Sequence, residues 1–186
     1  MMNGFMVFFA ATNNTPSGLL NIVNRRTWLA QPPVKPSNNL THPVPYVVIL
    51  HTATENCNTQ AACVYIVRHA QTYHIESNGW NDIGYSFLVG GDGNVYEGRG
   101  WDTEGAFARG YNRRAIGIGF IGTFTSEPPP PKQLQAGQQL IDLGVKLGKI
   151  SPEYKLLAHR QVSSTESPGL AFFKLLMTWP HWAEKP

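Results

Sequence analysis

The residues with the most chemical potential in this 186-residue chain are its six histidines: His42, His51, His69, His74, His159 and His181. His51 and His159 stand apart, because each closes an apolar run, "YVVIL" before His51 and "KLLA" before His159. An imidazole at a strand end faces the clefts that open at a sheet's rim, where it is placed to bind a metal, move a proton or hydrogen-bond a ligand. A hydrogen-bonded structural histidine satisfies the same pattern. His69 and His74 fall on or near a helical stretch and read as surface or partly buried residues. In "LLAHRQVSSTESPG", Ser167 follows His159 at the point where a thiolate would help to close a zinc site. A neutral hydroxyl is a poor substitute for that donor.

The elements that must hold these residues are legible from periodicity. "YVVIL", Tyr46 to Leu50, is a continuous β-branched and apolar run, which predicts a central strand covered on both faces. The prolines at 32, 33, 36, 43 and 45 before it predict an extended arm with no regular ladder. Between Asn58 and Ile75 the residues Ala62, Cys63, Ile66, Val67, Ala70 and Tyr73 recur at helical steps, with Asn58 or Thr59 as cap. "GYSFLVGGDGNVYEGRG" predicts a hairpin turning at Gly90–Gly93. "AIGIGFIGTF" predicts a strand whose glycines admit a close neighbour, either another backbone or a ligand. A second helix is expected from Lys132, with Leu134, Gln138, Ile141, Val145 and Gly148 facing inward. A short strand "KLLAH" and a third helix from about Gly169 to Thr178 complete the pattern. The predicted class is an α/β fold in which a central mixed β-sheet is flanked by three helices; strand order does not follow from periodicity. Residues 1–21 read as a leader or juxtamembrane segment and 22–186 as one domain.

Composition narrows the functional classes. With 42% hydrophobic and 15% charged residues the chain has the material for a packed core. The net charge of +3 is scattered and contains no basic run able to track a phosphate backbone, so nucleic acid is not an expected partner. The apolar run Phe5 to Ala11 is far shorter than the roughly 20 residues that span a bilayer, and no basic residue precedes Arg25 to mark a signal peptide. Any membrane anchor is therefore expected outside this chain. Cys57 and Cys63 are the only cysteines. Two buried thiols is one reading, while a metal site would lack two further ligands nearby and a redox pair would show a tighter spacing; a small local disulfide is favoured, and with it an oxidising compartment. The sequons at Asn13 and Asn39 are glycosylation candidates that agree with such a compartment.

Six ordered blocks, "NRRTWLAQPP", "VVILHTATENC", "GWNDIGYSFLVGGDGNVYEGRGW", "GYNRRAIGIGFIGTF", "AHRQVSSTESPG" and "TWPHW", resemble the peptidoglycan recognition proteins, relatives of the N-acetylmuramoyl-L-alanine amidases, over roughly Ile22 to Trp182. The resemblance implies a sheet with three helices, a groove for cell-wall glycan and stem peptide, and a Cys57–Cys63 disulfide. It also implies that active members hold zinc with two histidines and a cysteine. On that pattern Leu50 occupies the first ligand position, His51 its non-ligand neighbour, His159 the second ligand position and Ser167 the cysteine position. Tyr85 matches an active-site tyrosine. Two of three ligands are thus missing, so no metal, no catalytic residue and no cofactor are expected, and the implied role is a non-catalytic receptor.

The same blocks place His51, Thr52, Trp80, Tyr85, Arg99, Trp101, Phe107, Tyr111, Asn112 and His159 as groove residues, although Trp80 and Trp101 serve equally well as core. Arg109, Arg113 and Arg114 are candidates to pair with a stem-peptide carboxylate. Phe107 stands where members commonly carry histidine, which implies weaker direct binding or a ligand presented by a partner. The implied partners are peptidoglycan or muropeptide, with the diaminopimelate type favoured, and a homologous recognition domain in a homo- or heterodimer. The implied location is extracellular, as a cell-surface ectodomain or a secreted protein.

Overall fold

The structure, a computed structural model, describes residues 19–186. The apolar run at Phe5–Ala11 and the sequon at Asn13 lie outside the described residues. Six strands form one mixed sheet: β1 Ile22–Val23, β2 Val44–His51, β3 Phe87–Val89, β4 Val95–Glu97, β5 Ala115–Phe120 and β6 Ile150–Ala158, in the order β1-β4-β3-β5-β2-β6. Among the described strands only β3 and β4 pair antiparallel; β5 and β2 run parallel inside the sheet, where burial on both faces explains the apolar runs Val47–Leu50 and Ala115–Phe120, and β6 closes the edge parallel to β2. The helices are α1 Gln60–Thr72, α2 Pro131–Lys146 and α3 Leu170–Leu176.

Strand alternation divides the core. Val47 and Ile49 of β2 join Phe87, Phe120, Leu140 of α2 and Phe172 of α3 on one face. Val48 and Leu50 point to the opposite face, with Phe107, Ala115 and Leu157. Over β3 and β4, that second face is covered by α1, whose Cys63 and Val67 pack with Leu88 and Tyr96. Over β5 and β2 no α-helix among the described residues covers it. The groove lies there.

Three local expectations need correction. Pro45 does not stop the ladder: β2 begins at Val44, and the register shift between Val44 and Tyr46 accommodates the missing donor as a bulge. The buried side of α2 is Gln133, Ala136, Gly137, Leu140, Ile141 and Gly144, rotated from the predicted stripe, of which only Ile141 is buried; Gln138 and Gly148 are exposed. Small residues and an amide there let α2 approach the sheet, with Gln133 Nε2 donating to the Val89 and Ile121 carbonyls. Helix α1 starts after its Thr59 cap and continues into a π-helical turn, Tyr73–Ser77; Ala62 and Tyr73 are exposed, and Gln71 and His74 are buried instead.

Candidate functional site

The groove floor is built by two residues without side chains. Gly117 and Gly119 of β5 face the open side of the sheet, and a Cβ at Gly117 would meet the Phe107 ring at 2.4 Å, one at Gly119 the Tyr85 ring at 3.1 Å. The close neighbours that the glycines admit are therefore these two rings. Around them a depression of about 170 Å³ is lined by Leu50, His51, His74, Trp80, Phe107, His159 and Ser167, among others. Phe107 is 9% exposed, its ring held between Gly105 and Gly117.

The histidines have distinct surroundings. His51 follows Leu50, so its ring leans the other way, toward Phe124, whose backbone N–H lies 3.4 Å from His51 Nδ1. Burial, then the charges of His159 and Arg160, lower its pKa to about 4. His159 also titrates below the ordinary histidine range because it is buried, an effect opposed by its interaction with the Phe107 backbone; its Nδ1 is buried without a hydrogen-bond partner. His74, expected at or near the surface, is buried beside the groove, its ring 4.7 Å from Trp80 and 5.4 Å from Tyr85. Its Nδ1 accepts from the Gly84 N–H at 2.9 Å, which assigns the proton to Nε2. Burial and the Arg99 charge lower its pKa to about 4, against the carboxylate of Asp82. Burial pushes the Tyr85 hydroxyl up to about 12, so it stays protonated as a donor.

The zinc set implied by resemblance does not fit these residues. Leu50 is the groove-facing residue at the end of β2, 2% exposed, and has no lone pair to offer. Ser167 Oγ accepts from the His51 N–H at 3.0 Å. The unpartnered His159 Nδ1 is the one imidazole donor where three protein ligands are needed. Among the described residues no three His, Cys, Asp or Glu side chains converge elsewhere to hold a metal ion.

Beyond Trp80 and Ala106 lies a polar cleft of about 410 Å³ walled by Arg99, Lys35, Ser37, Asn38 and Glu104. Arg99 is fixed there: Nε donates to the Ile83 carbonyl at 2.7 Å, and Nη1 to the Glu104 carbonyl at 2.8 Å and to Ser37 Oγ. Its Nη2 makes only a 3.3 Å contact with the Asp82 carbonyl. Among the described residues no carboxylate oxygen is hydrogen-bonded to it; the charges of Asp82 and Glu104 act on it from nearby, and its carbonyl partners orient the guanidinium without cancelling its charge.

The remaining predicted residues are placed differently. Trp101 is not in the groove: it packs on Phe87 at 4.4 Å between centroids, on the α2 face of the sheet, and its ring fills the space left by Gly144. Thr52 Oγ1 is engaged by the Gly122 N–H, and Asn112 Oδ1 by the N–H groups of Phe107 and Ala108, so each supports backbone. Tyr111 lies at the far end of the groove face, edge-on to Tyr46, with Arg114 stacked against both rings. Arg113 pairs with Glu104 at 3.3 Å. Exposed Asn39 bridges to Thr103, and Cys57 and Cys63 form a disulfide. Sequence reasoning missed His74, Lys35 and Ser37; the only trace of the last two was a proline-rich arm, which folds back to line the cleft.

Residues 40–170 match the family model described as N-acetylmuramoyl-L-alanine amidase. The chain is 51% identical over 167 residues to Peptidoglycan-recognition protein LE of Drosophila melanogaster, covering 90% of this chain and 48% of that protein. The chain thus spans about half the length of that relative. The crystal structure of peptidoglycan recognition protein LE with tracheal cytotoxin, a monomeric diaminopimelic acid-type peptidoglycan, superposes with a TM-score of 0.86, covering 87% of this chain and 95% of that one. The ectodomain complex of peptidoglycan recognition proteins LCa and LCx bound to the same toxin contains a chain of TM-score 0.87 and 48% identity, with 88% of this chain and 99% of that one covered.

Proposed function

The chain belongs to the peptidoglycan recognition protein family, on the fold of the N-acetylmuramoyl-L-alanine amidases, and from that premise we propose that it is a non-catalytic receptor domain for bacterial peptidoglycan or its muropeptides. The observation that carries this reading is the side chain of Leu50, which faces the groove beside His159 and Ser167 where metal-based hydrolysis calls for a third electron-pair donor. The groove itself is intact. Ring faces at Trp80, Tyr85 and Phe107 suit the apolar faces of sugar and peptide, and binding of that kind depends on shape and placed hydrogen bonds rather than on a metal.

The polar cleft favours the diaminopimelate type. A diaminopimelate side chain ends in a carboxylate that lysine lacks, and Arg99, held by carbonyls with Lys35 nearby, offers a fixed guanidinium to it. The relatives solved with tracheal cytotoxin support this choice, and the LCa–LCx complex supports pairing with a homologous domain. The disulfide agrees with an extracellular location, as a surface ectodomain or a secreted protein, and exposed Asn39 is a candidate glycan site.

A second reading draws on Phe107. Its ring faces polar ligand groups with no hydrogen bond to offer, at a cost of about 1–3 kcal/mol for each group left unpaired. This favours a co-receptor that engages ligand only when a partner presents it. Calorimetry separates the two: heat from diaminopimelate muropeptide with the chain alone identifies the direct receptor, and heat only after a homologous domain is added identifies the co-receptor. Stoichiometric zinc in the purified protein, together with peptide release from cell wall, would overturn both.

A further inference from the structure

The polar cleft that holds Arg99 carries both signs of charge. Of the two carboxylates near the guanidinium, that of Asp82 is engaged elsewhere: Arg25 pairs with it at 2.9 Å, and Gln71 Nε2 and the Ile83 N–H each donate to it at 2.7 Å. Glu104 is different. Its carbonyl accepts from Arg99 Nη1 at 2.8 Å, so its carboxylate hangs from the same residue that anchors the cation. One carboxylate oxygen accepts from Asn38 Nδ2 at 2.8 Å, and Asn38 and Glu104 both line the cleft. The other meets Arg113 Nε at 3.3 Å, but that arginine side chain is 79% exposed, so water screens the pair.

The backbone fixes this arrangement. The Glu104 N–H donates to the Asn38 carbonyl and the Leu40 N–H to the Asp102 carbonyl, each at 2.8 Å, with Asn39 bridged to Thr103 between them. Glu104 and Arg99 therefore stand in one wall, acting on each other through charge.

A lone carboxylate entering the cleft is drawn by Arg99 and Lys35 and repelled by Glu104; a lone ammonium meets the reverse. A group with both charges on one carbon is attracted at each end. The end of a diaminopimelate side chain is such a group, an ammonium and a carboxylate on the same carbon. Lysine keeps only the ammonium. A diaminopimelate whose amine carries an acyl group, as it does in a direct cross-link, keeps only the carboxylate. We propose, resting on the diaminopimelate reading of the groove, that Glu104 is a specificity residue: it binds the diaminopimelate ammonium while Arg99 binds the carboxylate, so the cleft selects stems whose amine is free of a cross-link.

The test is calorimetry of the whole chain, with a homologous domain added if the chain alone is silent. The ligands are monomeric diaminopimelate muropeptide and the same molecule acetylated on the diaminopimelate amine. Acetylation should weaken binding about tenfold. Glu104→Gln keeps an acceptor for Asn38 and Arg113; it should weaken the free-amine ligand about tenfold and bind both forms alike. Melting temperatures confirm that the variant folds. Equal wild-type affinity for the two forms, unchanged or tighter binding by Glu104→Gln, or a gap between the forms that persists in the variant and so reflects bulk, overturns the role of Glu104 and leaves the receptor standing. Binding of neither form, with or without the homologous domain, overturns the receptor reading and this selectivity with it.

Discussion

At the scale of residues, the proposed non-catalytic role rests on Leu50 and Ser167, with His74 buried beside them. If the missing donors alone separate this cleft from a metal site, then Leu50→His with Ser167→Cys should bring the purified protein to about one zinc per chain by elemental analysis, since His159 Nδ1 already waits without a partner. Either substitution alone leaves two ligands and should bind far less. His74 governs acid stability. Its folded pKa, about 4, lies below the ordinary value of 6.5, so between these the unfolded chain binds more protons. Its contribution is complete above about pH 6.5 and is lost as pH falls toward 4. His74→Gln, which keeps an acceptor for the Gly84 N–H, should flatten this part of the curve of melting temperature against pH. Arg99→Lys keeps the charge and loses the planar fork; about tenfold weaker calorimetric affinity for diaminopimelate muropeptide, with lysine-type muropeptide unaffected, is the expected outcome.

At the scale of elements, β5 is the informative strand. Its alternating glycines predicted a close approach, but not by which group; the answer, two aromatic rings from the preceding segments, depends on the parallel pairing of β5 with β3 and β2. Gly117→Ala drives a Cβ into the Phe107 ring and should cost about 1–3 kcal/mol, lowering the melting temperature by several degrees. Phe107→Leu in the same chain should restore part of the loss, a coupling that calorimetric scanning measures directly. Helix α2 shows where periodicity misleads. Its sequence carries an apolar stripe through Leu134, Ile141 and Val145, yet the buried side holds glycines and Gln133, because close approach to the sheet rewards small residues over large ones.

The whole molecule is tied together by contacts distant in sequence. The arm before β2 is held by Arg25, paired with Asp82 at 2.9 Å and donating to the Gly98 carbonyl, and by the reciprocal hydrogen bonds of Gln31 and Gln71. The Cys57–Cys63 disulfide closes a short loop at the start of α1, so its reduction should lower stability by about 2 kcal/mol, read from denaturant midpoints with and without reductant. The sequence by itself determined the class of fold, the helices and most strands, and, through resemblance, the pairing of the cysteines, because periodicity and residue chemistry are local properties. Only the tertiary structure decided the strand order, the burial of His74 at the groove and the removal of Trp101 to the opposite face. Each of these depends on which residues far apart along the chain come to share one side of the sheet, and the hydrophobic pattern of a strand buried on both faces carries no mark of which side that is.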